Sequence, residues 1–484
     1  MTNEVRTRFA PSPTGYMHIG NLRTAIFEYL VAKINGGKFI LRIEDTDQAR
    51  QVEGAVEVIY STLNTIGMHH DEGPDVGGDY GPYVQSERKD SYLPYAQQLV
   101  ESGDAYYCFC SKRRLNALHK TADENNEQYK YDRHCMRLSE SEIQDKLDSD
   151  SDFVIRQKAP YKGRTTYHDE VYGNITFENS SLEDQILIKS DGFPTYNFAN
   201  VIDDHTMNIS HVVRGSEYLS STPKFVNLYK AFDWDVPVFV HLPLIVKQDG
   251  SKISKRNGDA MFGDLIKDGY LPEAVLNYIV MLGWSPGDDR EFFTLKELES
   301  EFTVKGISKS PSTLDYDKLK WVNGEYIRKM TLGEFTEVAS DWIKKGINDI
   351  ELDIEKIAGM LQKRTEILSD IPSSIDFLSK VDVIDPELYF HKKMKSDAAS
   401  AKTLLPLVKT TLSSLDSWGH DAIYNSLADT AEENEVKNGK VMWPLRVALT
   451  GKPVTPGGAI DIADILGKEE TLKRIDAAIL QLEG

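Results

Sequence analysis

The stretch from Arg6 to Ile43 limits the fold more than any other part of the chain. Arg6 to Phe9 reads as a short extended run. Ala10-Pro11-Ser12-Pro13-Thr14-Gly15 must be a loop, because two prolines remove backbone donors and exclude regular helix. A helix should begin after Gly20 or Asn21, either of which can cap it. Leu22, Ala25, Ile26, Tyr29 and Leu30 then recur at helical spacing, and Asn35-Gly36-Gly37 stops the run. Lys38 to Ile43 reads as the next strand. Strand, helix, strand at this spacing is the start of a βαβ unit, so a parallel sheet covered by helices is expected.

Further along, Tyr92, Tyr95, Ala96, Leu99 and Val100 share a helical face across residues 88–102, with Gly103 beyond its end. From Tyr106 to Gln185 the texture turns polar, with short β-like runs and a charged stretch from Ser139 to Asp152. This region reads as an insertion. Ile186 to Lys189, Val212-Val213 and Val236 to Val246 read as buried strands returning. From Leu271 the pattern is mostly helical. After Trp321 it is helical throughout, with Gly467 separating the last two helices.

At 484 residues the chain exceeds what one hydrophobic core serves, and roughly three to five domains are expected. The first residues carry an early acid and no apolar core, so no secretory signal is read there, and no apolar stretch is long enough to span a bilayer. Three cysteines, two of them flanking Phe109, do not make a disulfide framework and fit a reducing cytoplasm. The formal net charge of −20 opposes nucleic-acid binding, since a phosphate backbone is repelled. A nucleic-acid partner therefore requires a local basic face.

Two segments carry chemistry. In Pro11-Ser12-Pro13-Thr14-Gly15-Tyr16-Met17-His18-Ile19-Gly20-Asn21, the loop runs into a helix N-terminus. Free N–H groups and the positive end of the helix dipole suit a phosphate there. His18 can donate to phosphates as charge develops, and Gly20 permits close approach of a nucleotide to the backbone. A loop whose glycines serve only the turn is the plain alternative. The second segment is Lys252-Ile253-Ser254-Lys255-Arg256, after a turn at Asp249-Gly250. Lys247 to Arg256 holds four cations and one acid, a local +3 in an acidic chain. Lysines there can neutralise charge on transferring phosphates. An isolated basic loop in solvent is the alternative.

Taken together and in this order, the two segments resemble the HIGH and KMSKS motifs of class I aminoacyl-tRNA synthetases. RFAPSPTGYMHIGN, RIEDTD, GPYVQSER, PTYNFANVIDD, KISKR and WPLRVALTG resemble the bacterial glutamyl-tRNA synthetase family, and the likeness runs from Arg6 to the last helix. One departure is Asn21 where HIGH ends in histidine. The resemblance implies an α/β Rossmann-like catalytic domain with an inserted α+β domain, followed by an all-α anticodon-binding region. The corresponding divisions are residues 1–105 and 186–250 for the two Rossmann-like halves and 106–185 for an inserted acceptor-binding domain. Residues 251–324 then hold the KMSKS loop and a stem-contact domain, and 325–484 the helical domain. It implies ATP with Mg2+ as cosubstrate, L-glutamate and tRNA-Glu as partners with tRNA-Gln open, no membrane, and a monomer in the cytoplasm. His18, Lys252 and Lys255 would be catalytic. Gly20, Asn21 and Ser254 would join them in binding ATP.

For the amino acid, charge and resemblance act together. A glutamate side chain needs a cation, best a bidentate arginine, and Arg8 and Arg214 are candidates near strand ends. The α-ammonium needs an acid, and Glu44 fits. Ser12, Tyr196 and Asn200 complete the set implied by the family. The cysteines leave alternatives open. Cys108, Cys110 and Cys135 suit tetrahedral zinc, with Tyr131 or His134 as a fourth ligand. Some relatives use a histidine where this chain has Arg137. Three metal-free thiols is the other reading. A glutaminyl enzyme and a non-catalytic RNA-binding paralogue are the competing functions. RIEDTD disfavours the first, and intact His18, Lys252 and Lys255 disfavour the second.

Overall fold

The computed structural model describes residues 4–483 except 16, 48–49, 128, 252, 254–260 and 349. The chain forms two compact units, residues 4–265 with 275–315, and residues 266–274 with 316–483.

The first unit opens with β1 (Arg6–Phe9), α1 (Ile19–Ile34) and β2 (Lys38–Leu41). β1 and β2 pair in parallel, from Arg6 with Lys38 to Phe9 with Leu41, as the βαβ pattern requires. The proline loop stays irregular. Asn35 ends α1, and its N–H bonds to the carbonyls of Ala32 and Lys33. The elements that follow are α2 (Ala55–Thr65), α3 (Lys89–Ser102), β3 (Ala105–Cys108), α4 (Lys112–Glu124), α5 (Glu140–Asp148), β4 (Val154–Gln157), β5 (Arg164–Asp169) and β6 (Gly173–Glu178). Next come β7 (Ile186–Ile188), α6 (Tyr196–Thr206), β8 (His211–Gly215), α7 (Thr222–Ala231) and β9 (Val238–Leu242). Gly103 follows α3 in the left-handed conformation that favours glycine.

Strand pairing runs across the divisions drawn from sequence texture. β7 pairs antiparallel with β4, which pairs with β3, so the 186–188 strand joins a three-stranded sheet instead of the parallel one. β5 and β6 form a hairpin whose β5 end meets β9 at Asp169 and Phe239. β9 in turn pairs in parallel with β8, giving the order β6-β5-β9-β8. β1 reaches this sheet through Ser210, whose N–H donates to the Arg6 carbonyl at 3.0 Å. Tyr92, Leu99, Ile155, Leu187, Phe198, Ile202, Phe225 and Leu228 build one core; Ile40, Tyr83, Tyr167, Val212 and Phe239 build another.

The second unit is helical, including Leu332–Gly346, Ala398–Ser413, His420–Glu433, Asn438–Thr450 and Ala459–Glu483. Gly467, at φ 77°, breaks the last of these, as its position in the sequence suggests. Phe335, Ile343, Leu405, Leu427, Leu445, Ile462 and Ile475 are buried there. Buried Arg474 donates to the carbonyls of Phe377, Leu378 and Leu449 at 2.6–2.8 Å, satisfying acceptors at the ends of two helices at once.

Candidate functional site

The first helix begins two or three residues earlier than the sequence suggests, because His18 caps it instead of Gly20 or Asn21. The Nδ1 atom of His18 accepts the N–H groups of Gly20 at 3.1 Å and Asn21 at 3.2 Å. An accepting Nδ1 puts the imidazole proton on Nε2. A Cβ at position 20 would lie 3.0 Å from His18 Cε1 and 3.1 Å from Nδ1. Gly20 therefore lets the imidazole fold over the helix end. Gly15 sits at φ 131°, which only glycine adopts without strain.

A cavity of about 330 Å³ opens over this helix end. Arg8, Ser12, His18, Gly20, Asn21, Glu44, Tyr196 and Arg214 all line it. Eight of the residues singled out in sequence thus meet in one place. Asn200 does not line it, but its amide donates to Glu44 Oε1 at 3.2 Å from behind. Lys252, Ser254 and Lys255 lie outside the described residues. Their neighbour Ile253 lines the cavity, and just past the segment the Phe262 N–H donates to the Met17 carbonyl at 3.2 Å.

The two arginines differ in their partners. Arg8 donates from Nε to Asp204 at 2.9 Å and from Nη1 to Glu28 at 3.2 Å. Arg42 also bonds Asp204, at 2.8 Å, and Glu44 Oε1, at 2.9 Å. Burial would raise the Asp204 carboxyl, but Arg8 and Arg42 hold it below its ordinary range. Burial raises the Glu28 and Glu44 carboxyls despite these arginines. Oε2 of each is buried with no hydrogen-bond partner. Among the described residues Arg214 has no carboxylate within salt-bridge distance. Its Nε donates to His241 Nε2 at 3.2 Å and its Nη2 to Thr222 Oγ1 at 2.8 Å. The guanidinium lies 4.5 Å from the Phe225 ring centre and 5.2 Å from that of Tyr218. Burial, with Arg8 nearby, lowers its pKa from the ordinary arginine value. Among the described residues the cavity lining therefore includes two buried guanidiniums with no carboxylate at salt-bridge distance, Arg214 and the carbonyl-bonded Arg23, and two buried carboxylates with one oxygen unpartnered, Glu28 and Glu44.

Sequence reasoning did not single out Glu28, Arg42, Asp204 or His241. Arg42 and Asp204 stand inside or beside the RIEDTD and PTYNFANVIDD segments. His241 left a fainter signal, a single titratable residue in the apolar run Val238–Leu242.

The three cysteines also converge. Their Sγ atoms lie within 4.8 Å of one another, with Cys110 and Cys135 at 3.5 Å. The Tyr131 hydroxyl is 3.3 Å from Cys108 Sγ and 3.2 Å from Cys110 Sγ, whereas His134 is exposed and outside the group. Sulfurs around a tetrahedral zinc, bonded at about 2.3 Å, stand roughly 3.8 Å apart, a spacing close to that of these thiols. Burial raises the Cys110 thiol to about 11, while Tyr131 and Arg156 lower Cys108 against the same effect.

In the second unit, Arg446 lies over the Trp443 ring at 4.0 Å, and the His391 ring centre is 4.0 Å from that of Trp443. Exposed Lys392, Lys393 and Lys395 follow His391. Burial lowers the Arg446 guanidinium, and the nearby charge of Arg364 lowers it further. Cations and aromatic faces thus gather locally on an acidic protein.

Residues 4–321 match the family of class I tRNA synthetases (E and Q), catalytic domain, and residues 334–479 an anticodon binding domain. A glutamate--tRNA ligase of Clostridium tetani is 54% identical over 481 residues, covering 99% of this chain and 98% of the relative. One from Clostridium kluyveri is 55% identical over 480 residues, with the same coverage. A crystal structure of a glutamate tRNA ligase from Elizabethkingia meningosepticum, in complex with its amino acid, superposes with a TM-score of 0.92 at 36% identity. It covers 99% of this chain and all of the other. The chain belongs to the glutamate--tRNA ligase family of class I aminoacyl-tRNA synthetases.

Proposed function

We propose that this enzyme activates L-glutamate with ATP to glutamyl-adenylate and transfers the glutamyl group to the 3′ end of tRNA-Glu. One observation carries the choice of amino acid. The cavity pairs an uncompensated guanidinium, Arg214, with a buried carboxylate, Glu44, that has one oxygen to spare. The first meets the side-chain carboxylate, and the second meets the α-ammonium. Ser12 and Tyr196 line the space between, and Asn200 holds Glu44. Arg8 already bonds two carboxylates, so it organises the floor of the cavity.

ATP, accompanied by Mg2+, lies with its phosphates at the N-terminus of α1. There the N–H groups of Gly20 and Asn21 donate to Nδ1 of the His18 ring, which leaves the imidazole proton on Nε2. The α-carboxylate of glutamate attacks the α-phosphate, displacing pyrophosphate, and charge builds on the phosphate oxygens and the leaving pyrophosphate. His18, Lys252 and Lys255 stabilise that charge. The ribose hydroxyl of the tRNA then attacks the acyl carbon and releases AMP.

A bound zinc would be held by Cys108, Cys110, Cys135 and Tyr131. It would tie β3 to the segment carrying residues 131–137. We assign the inserted segment to the acceptor end of tRNA, and the cluster of Arg446, Trp443 and His391 to the anticodon arm.

The test is charging of tRNA-Glu and tRNA-Gln transcripts with labelled glutamate and labelled glutamine. Glutamate must be incorporated on tRNA-Glu. Glutamine incorporation overturns the pocket assignment, and no charging with either supports a non-catalytic paralogue. Glutamate on both tRNAs identifies a non-discriminating enzyme.

A further inference from the structure

The strand residues Asp169 and His241 are buried outside the cavity, at 0% exposure each. Asp169 Oδ1 accepts the N–H groups of Val171 at 3.0 Å and Tyr172 at 2.8 Å. Its Oδ2 accepts the His241 N–H at 3.1 Å and lies 2.6 Å from His241 Nδ1. Among the described residues every other donor around this carboxylate is a backbone N–H, and since a carboxylate only accepts, the 2.6 Å contact puts a proton on Nδ1. Its Nε2 then carries a lone pair. That is the atom facing Arg214 Nε at 3.2 Å, and arginine can only donate. The next bonds run in the same sense: Arg214 Nη2 donates to Thr222 Oγ1, whose hydroxyl donates to the Tyr218 carbonyl at 2.8 Å.

We propose that Asp169 and His241 are positioning residues for the amino-acid site: Asp169 fixes the tautomer of His241 so that a neutral acceptor, not a carboxylate, orients Arg214. The contrast with Arg8 carries the argument. A guanidinium braced by carboxylates is held in place and also neutralised. One braced by imidazole, a hydroxyl and aromatic faces is held in place with its charge intact. Nη1 has no hydrogen-bond partner among the described residues, and Arg214 lines the cavity. Burial lowers the imidazole pKa, which keeps the ring neutral although Asp169 opposes this. The proposal rests on Arg214 receiving the glutamate carboxylate.

Asp169→Asn tests it, because an amide turned toward Nδ1 drives the ring proton to Nε2, against the Arg214 N–H. With tRNA present, the glutamate KM should rise at least about tenfold. The ATP KM and the kcat at saturating glutamate should stay near wild type. His241→Gln, whose amide oxygen can accept from Arg214, should retain more glutamate affinity than His241→Leu. In 15N-histidine spectra of the wild-type enzyme, with His241 assigned by its loss in His241→Gln, Nδ1 should be protonated and Nε2 bare. Protonation of Nε2 in the wild type overturns the proposal whatever the variants do. So do equal glutamate KM values for His241→Gln and His241→Leu. Arg214→Ala in the same assay separates the two layers. An unchanged KM there sinks the carboxylate assignment itself. A raised KM there with no effect of Asp169→Asn sinks only the relay.

Discussion

Asn200 donates its amide to Oε1 of Glu44 at 3.2 Å, and Arg42 donates to the same oxygen at 2.9 Å, so Oε2 is left buried without a partner. A carboxylate satisfied on one side only is costly unless a donor completes it. Glu44→Gln should raise the glutamate KM about 10-fold to 100-fold, the range for one charge-assisted hydrogen bond. Steady-state charging at varied glutamate measures this, and an unchanged KM would remove Glu44 from the ammonium site.

Gly20→Ala should slow adenylate formation. The added methyl would lie 3.0 Å from the His18 ring and push it off the helix end. Displacing a side chain from its rotamer costs about 1 kcal/mol, so the rate should fall about fivefold to tenfold. Single-turnover adenylate formation is the readout. Full activity would show that the ring position does not matter.

Lys255→Ala should reduce adenylate formation by about 100-fold to 1,000-fold, the usual cost of losing one transition-state charge partner. Filter binding of tRNA should be unchanged. Near-normal turnover in the variant would rule out this role for the basic segment.

The purified protein should carry one equivalent of zinc by atomic absorption, and Cys110→Ser should lose it. Removing the ion with a chelator should lower the melting temperature, since a metal that ties a loop to a strand stabilises the folded state. Absence of zinc from the wild-type protein would leave three ordinary thiols.

The βαβ opening was legible because prolines, glycines and helical periodicity act within a few residues of one another. The turn at Asp249-Gly250 was legible for the same reason; it forms with Gly250 at φ 79°. Pairing between distant strands left no such mark. Ile186–Ile188 reads as a buried strand on either sheet, and only the partner β4 decides which. The start of α1 shows the same limit, since a histidine cap depends on a ring that Gly20 leaves room for. Glu44 and Arg214 could be placed from charge logic and family likeness. Asp169 could not, because it acts through a histidine 72 positions away in the chain.

The most direct test of the account compares kcat/KM for glutamate and for glutamine in the wild type and in Arg214→Ala. A buried, uncompensated guanidinium should favour the carboxylate over the carboxamide by about 10⁴-fold, since the amide leaves donors facing donors. In Arg214→Ala the preference should fall to within about tenfold, mostly through the glutamate KM. A variant that keeps the full preference would contradict the claim that Arg214 selects the amino acid.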